Sequence, residues 1–237
     1  MKMNLLTSEG TQITEEARPV LQSISDIQKE FELKYPIIRT MSRNAVKNFI
    51  DLNPQQTAIF DQLYAIDPTK FGINVPIEGD DVDPTRLVVV RNQRIVRNGL
   101  TETVGDRYTT PEAFRAFSGM SSDMARKIGR HLVIQTAYRS PAYQALLVAR
   151  TIAQNNFDLG ATLAQITVPG YSQHADVDAL AHDVMPFEAN GKYHFEDMPE
   201  YKWMVENAAK YDFHLTYPQD NEAHMIFEPW HWQHIPE

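Results

Sequence analysis

Phe227–Trp232 reads FEPWHW, close to the end of a chain of 237 residues. Glu228 and His231 stand three apart in it, with Pro229 between them and Trp230 and Trp232 flanking the histidine. A carboxylate can act as general base and an imidazole as metal ligand, and proline restricts the backbone that joins them. The longer stretch Ala223–Trp232, AHMIFEPWHW, reads as a closing strand pair, or a strand and a loop. Short segments of this kind are also found on ordinary surfaces, so the remainder of the chain decides how this one is read.

The composition bounds the answer. Hydrophobic residues make up 43% and charged residues 22%, enough apolar material for a core without a disulfide or metal staple. A net charge of −9 argues against a general nucleic-acid or anionic-membrane surface, because those partners select basic faces. No apolar run approaches the roughly 18 residues of a membrane span. Cysteine is absent, which excludes disulfides, thiolate metal sites and thiol nucleophiles. Any metal must be held by His, Asp and Glu, a donor set that suits a catalytic zinc site better than a structural one. The opening MKMNLLTSEGTQITEEARP lacks the long apolar stretch and small-residue cleavage site of a signal peptide. Synthesis without a signal and prior loss of one both fit that start.

Helical and strand patterns divide the chain into a mainly helical region over 1–104 and a denser region over 105–237. In the first, residues 1–35 read as a polar, flexible lead followed by a helix around Ile24–Lys34. SRNAVKNFIDL and PQQTAIFDQLYAI follow as helices, started by Ser42 and by Asn53 before Pro54. IEGDDVDPT is a turn-rich acidic loop, and RLVVVRNQRIVRN gives two strand-like runs hinged at Asn92–Gln93. In the second, TPEAFRAFSGMSSDMARKIG is helical and stops at Gly129. HLVIQTAYRS is a buried strand ending in a polar tip, followed by a helix with Ser140 as N-cap and Pro141 at its first position. TVPGYSQHADVDALAHDV holds a Pro-Gly turn and a strand, PEYKWMVENAAKY an amphipathic helix, and FHLTYP a strand.

Three contexts stand out among the eight histidines and many charged residues. His174 follows the Pro-Gly turn, with several carboxylates close behind. His231 lies beside Glu228. Arg139 sits where a buried strand meets a helix N-terminus, a favoured place for functional side chains. A hydrolytic zinc needs three protein ligands, an open position, a carboxylate that is not a ligand, and a cation or dipole near the developing oxyanion. These segments supply a candidate for each role, although their spacing matches no general zinc motif such as HExxH. His131, His194, His214 and His224 read as structural or exposed, and His234, three beyond His231, as a surface residue, with support of the ligands from behind as the alternative.

In order, AYRS with Arg139, PGYSQH with Ser172 and His174, and EPWHW with Glu228 and His231 resemble the VanY-type D-alanyl-D-alanine carboxypeptidases of zinc peptidase family M15. The segment EYKWMVENAAKYDFHLTYP resembles the helix and strand that precede the family's last motif, so the likeness covers residues 108–235. The family's usual spacing from the motif histidine to its ligand aspartate lands on Ala181, which cannot bind metal. Aligning ALAHDV with the family's GLAVD-like strand makes Asp183 the ligand, after an insertion of two residues and with Ala179 in place of a family glycine. Alternation beside Leu180 and Val184 also favours Asp183, and Asp176 is its first rival.

The resemblance implies an α+β fold: a small antiparallel sheet flanked by helices, the hedgehog-like core of M15 zinc peptidases, preceded by the mainly helical N-terminal region of unknown role. It implies Zn²⁺ on His174, Asp183 and His231, with Glu228 as base and then acid, and Arg139 on either the oxyanion or the substrate carboxylate. Trp230 and Tyr138 would contact substrate, Ser172 would either contact substrate or orient His174, and Trp230 would keep Glu228 partly desolvated. The implied activity is removal of the terminal D-Ala from peptidoglycan stem peptides, acting in the periplasm or cell wall. An endolysin-type endopeptidase using the same site, and a degenerate site that binds wall peptides without turnover, are the alternatives.

Overall fold

A computed structural model describes residues 3–73 and 81–236. In chain order these form helices α1 (Ala17–Lys34), α2 (Arg43–Phe49) and α3 (Pro54–Leu63), then strands β1 (Val88–Val90), β2 (Arg94–Arg97), β3 (Leu100–Thr103) and β4 (Arg107–Thr109). Helix α4 (Pro111–Ile128), strand β5 (Leu132–Thr136), and helices α5 (Pro141–Gln154) and α6 (Leu159–Leu163) follow. Strands β6 (Ala181–Pro186) and β7 (Glu188–Ala189), helix α7 (Pro199–Asn207), and strands β8 (Phe213–Leu215) and β9 (His231–His234) complete the α+β fold.

The chain forms two compact units, each assembled from separated segments. One comprises Met1–Asp81, Arg139–Ala175 and Asn221–Ile226; the other comprises Val82–Tyr138, Asp176–Asp220 and Phe227–Glu237. The first is built of helices. Leu21, Ile24, Ile59, Phe60, Leu63, Leu146, Ala149 and Ile152 are fully buried where α1, α3 and α5 meet. Asn53 caps α3 in a reciprocal box with Gln56, which satisfies the first free N–H groups of that helix. Ser140 does the same for α5 by accepting from the Tyr143 N–H, with Pro141 in the first turn.

The second unit holds the sheets. β5, β6, β9 and β8 lie side by side in that order, all antiparallel. β1 pairs with β4, and β2 lies between β3 and β7. Helices α4 and α7 contribute Phe117, Met120, Met124, Trp203 and Met204 to a core shared with Ile134, Val184, Phe213 and Trp232 of the main sheet. Helix α4 ends at Gly129, whose φ of +67° is the left-handed cap that glycine adopts freely.

Several expectations need correction. The N-terminal lead is packed: Leu5 and Ile13 are buried, and Leu5 donates its N–H to Gln62 Oε1 at 2.8 Å. Helix α1 begins at Ala17 because Pro19 falls in its first turn, where a missing N–H costs nothing. Ser42 precedes α2 but makes no side-chain cap bond. The hairpin turns at Asn98–Gly99 rather than Asn92–Gln93. Both turn residues have positive φ, the tight primed turn for which Asn-Gly is the preferred pair. β1, on the other side of Asn92, pairs with β4 instead. Of the acidic loop, Ile77–Asp80 lie outside the described residues, and Asp83 caps Thr85. His234 is 4% exposed, because β9 is an inner strand and its last residue packs against the Phe213 ring at 5.1 Å.

An ion network joins the end of α1 to α5. Glu32 pairs with Arg39 and with Arg150 at 3.3 Å, and Gln28 donates to it at 2.6 Å. The Arg39 guanidinium lies over the Tyr143 ring, 4.7 Å from its centre. Burial pushes the Glu32 carboxyl up, but the Arg39 charge, hydrogen bonds from Tyr143 and Gln28, and the Arg150 charge together hold it below the ordinary 4.5. The unfolded chain therefore takes up this proton more readily than the folded one. The stabilisation is complete above pH 4.5 and disappears as pH falls through the lower folded value. Urea midpoints recorded between pH ~3 and ~7 should show a shallower acid limb for Glu32→Gln than for wild type. Identical slopes would contradict this assignment.

Candidate functional site

The site starts from strand register. In the β6–β9 ladder Asp183 lies opposite His231, and on the other side of β6 it lies opposite Thr136, just after an irregularity between Ile134 and Thr136. Directly opposed residues carry their side chains on the same sheet face, roughly 5 Å apart. Asp183 Oδ1 accordingly lies 2.9 Å from His231 Nδ1. The neighbouring His182 points the other way and is fully buried. One ring nitrogen contacts Thr109 Oγ1 at 2.8 Å and the other the Leu180 carbonyl at 3.0 Å.

Glu228 reaches His231 through a β-turn. The His231 N–H donates to the Glu228 carbonyl at 3.1 Å, which places Pro229 at the second turn position, where its fixed φ belongs. The turn is fastened on three sides. The Glu228 N–H donates to the Tyr217 carbonyl at 3.1 Å, the Val184 N–H to the Trp230 carbonyl at 2.9 Å, and Trp232 Nε1 to the Pro229 carbonyl at 2.8 Å. Glu228 Oε2 then stands 3.7 Å from His231 Nδ1, and both residues are more than nine-tenths buried. The Tyr217 ring lies 4.9 Å from the His231 imidazole. Sequence reading gave Tyr217 no role, and its only signal was an aromatic residue before Pro218 at the end of a strand.

Trp230 is partly exposed, and with Pro229, Phe227, Tyr193 and Glu196 it borders a cavity of about 250 Å³. Tyr138 is 1% exposed within the core, and its hydroxyl accepts from the Val82 N–H at 3.3 Å.

His174 is placed by the Pro-Gly turn. The Tyr171 N–H donates to the Val168 carbonyl across Pro169–Gly170, and Gly170 takes φ +85°, which a side chain would disfavour. Ser172 is buried, and its hydroxyl accepts from the His174 N–H at 3.4 Å. The His174 carbonyl accepts from the Arg139 N–H at 2.8 Å, so the strand-end arginine and the loop histidine are joined through their backbones. Asp176 uses its carboxylate locally, accepting from the N–H groups of Asp178 and Ala179 at 3.0 and 3.2 Å.

Among the described residues His174, Asp183 and His231 form a group able to hold a metal ion: each offers one donor atom, and these lie within 4.8 Å of one another. Two imidazoles and one carboxylate match a catalytic zinc donor set.

Comparison with known proteins shows the family. The sequence model of VanY, D-alanyl-D-alanine carboxypeptidase, matches residues 106–237. A D-alanyl-D-alanine carboxypeptidase of Enterococcus faecium is 26% identical over 183 residues, covering 76% of this chain and 55% of that protein. The putative carboxypeptidase YodJ of Bacillus subtilis (strain 168) is 30% identical over 161 residues, covering 65% of this chain and 54% of that protein. The chain thus spans about half the length of these two relatives. The solved LdcB LD-carboxypeptidase, reported with the basis of its peptidoglycan recognition, superposes with a TM-score of 0.52 at 25% identity, over 71% of this chain and 78% of that one. Since the match to the family's own sequence model takes in more than half of its residues, the chain belongs to the VanY family of D-alanyl-D-alanine carboxypeptidases.

Proposed function

We propose that this chain is a zinc-dependent carboxypeptidase that hydrolyses the terminal D-Ala of peptidoglycan stem peptides, acting in the periplasm or cell wall, with residues 105–237 carrying the chemistry. The observation that carries this reading is the gathering of His174, Asp183 and His231 donors within 4.8 Å, with the Glu228 carboxylate 3.7 Å from His231, in a VanY-family chain. His174, Asp183 and His231 would hold the zinc. Bound there, it supplies an activated water and Lewis-acid polarisation of the scissile carbonyl.

Glu228 is the general base. The turn holds it close to the ligand group without making it a member of that group. It accepts the proton from water and delivers one to the departing amine. Pro229 limits the backbone freedom of Glu228 relative to His231, so the base and the ligand keep a fixed separation. Arg139 supplies a cation for the oxyanion or the substrate carboxylate, Ser172 orients the loop that carries His174, and Trp230 walls the substrate side.

A second reading keeps the site and changes the bond. One solved relative that superposes on this chain is an LD-carboxypeptidase, so a tetrapeptide ending in a single D-Ala is tested beside the pentapeptide.

Mass spectrometry of both peptides incubated with zinc-loaded protein decides the bond. Loss of one alanine from the pentapeptide supports the D,D reading, and loss from the tetrapeptide alone transfers the assignment to the L,D reaction. Cleavage at an internal bond makes the protein an endopeptidase. Glu228→Gln should lower kcat by about 10²–10⁴-fold while zinc content stays at the wild-type level. An unaltered rate would remove Glu228 from the base role. Asp183→Ala should drop bound zinc from about one per chain to almost none. Full occupancy in that variant would move the ligand elsewhere, with Asp176 the first alternative.

A further inference from the structure

The α1–α5 ion network ends beside two of the proposed site residues. Arg39 is 6% exposed, pairs with Glu32 and lies over the Tyr143 ring, which fixes its side chain at two groups. The fixed side chain holds its own backbone in place. The Arg39 carbonyl accepts the N–H of Ser140 at 2.8 Å. Ser140 is the N-cap of α5, and its neighbour Arg139 donates its N–H to the His174 carbonyl at 2.8 Å. One short path therefore runs from the end of α1, through Arg39 and the Ser140–Arg139 backbone, to His174.

We propose that Arg39 is a positioning residue: clamped by Glu32 and Tyr143, it holds the Arg139–Ser140 backbone, and through that backbone sets the place of His174. The assignment of His174 and Arg139 to the site rests on the function proposed above; the clamp itself does not.

Three features support a positioning role over simple packing. An arginine buried with a carboxylate is an expensive way to fill space, since apolar residues of the same volume often stabilise as well or better. Its guanidinium is planar and satisfies a carboxylate and an aromatic face at once, which fixes orientation as well as distance. The backbone it holds is a junction, where strand β5 gives way to helix α5. Groups that orient ligands from outside the coordination shell commonly change metal affinity by about 10- to 100-fold. The inference gives a role to the N-terminal helices: they brace the side of the site that carries His174 and Arg139.

The test uses Glu32→Gln/Arg39→Met, which removes both charges of the buried pair and leaves the one-third-exposed Arg150 to solvent, together with Arg39→Lys, which keeps the charge. Amide hydrogen exchange of metal-free protein reads the clamp directly. Exchange at Arg139 and Ser140 should quicken about tenfold or more in the double variant, with β6 and β9 unchanged. Zinc affinity by chelator competition should weaken by about tenfold or more in the double variant, with Arg39→Lys recovering most of it. Unchanged exchange at Arg139 and Ser140 in a folded double variant overturns the clamp. Faster exchange with wild-type zinc affinity overturns its role in placing His174. Wild-type protein that binds no zinc overturns the proposed function instead, and the exchange result still decides the clamp.

Discussion

The pairing of Asp183 with His231 across β6 and β9 is the constraint on which the proposed chemistry depends. Sheet register is discrete, and a slip by one residue would carry Asp183 to the opposite face and bring His182 forward in its place. Burial guards against that slip. His182 is fully enclosed with hydrogen bonds on both ring nitrogens, and Trp232, its partner across the ladder, is 3% exposed. The apolar face of the sheet thus keeps the polar face in register. The β-turn at Glu228–His231 adds the carboxylate at a distance set by four residues of backbone rather than by packing alone.

The polar side of this arrangement is costly in isolation. Asp183, Glu228 and His231 crowd together with little access to water, and a carboxylate pair beside one imidazole gains from a cation in their midst. A divalent ion at His174, Asp183 and His231 would relieve that crowding. The same accounting explains why Asp176 is a poorer ligand candidate: its carboxylate already accepts two backbone N–H groups in its own turn.

Much of this was readable from the sequence, for physical reasons that differ by element. Asn53, Ser140, Gly129 and the Pro169–Gly170 turn announced themselves because caps and turns are local, and one residue type satisfies each backbone demand. Placing Asp183 required an insertion to be inferred before Leu180 and Val184 fixed the alternation. What sequence reading missed is mostly non-local. The hairpin at Asn98–Gly99 was overlooked although the Asn-Gly pair was present, because the alternating apolar runs around Asn92 suggested a nearer partner; β1 finds β4 instead. The burial of Leu5, Ile13 and His234 depends on distant segments that cover them, which local pattern does not encode. The path from Glu32 through Arg39 to Arg139 joins residues more than a hundred positions apart.

Anomalous diffraction above the zinc edge, from crystals grown with zinc, tests the central claim most directly. The account predicts one strong peak about 2.0–2.2 Å from donor atoms of His174, Asp183 and His231, with Glu228 outside bonding distance. A peak ligated by Asp176 or by Glu228 in place of Asp183, or an empty site at those three residues, would contradict it.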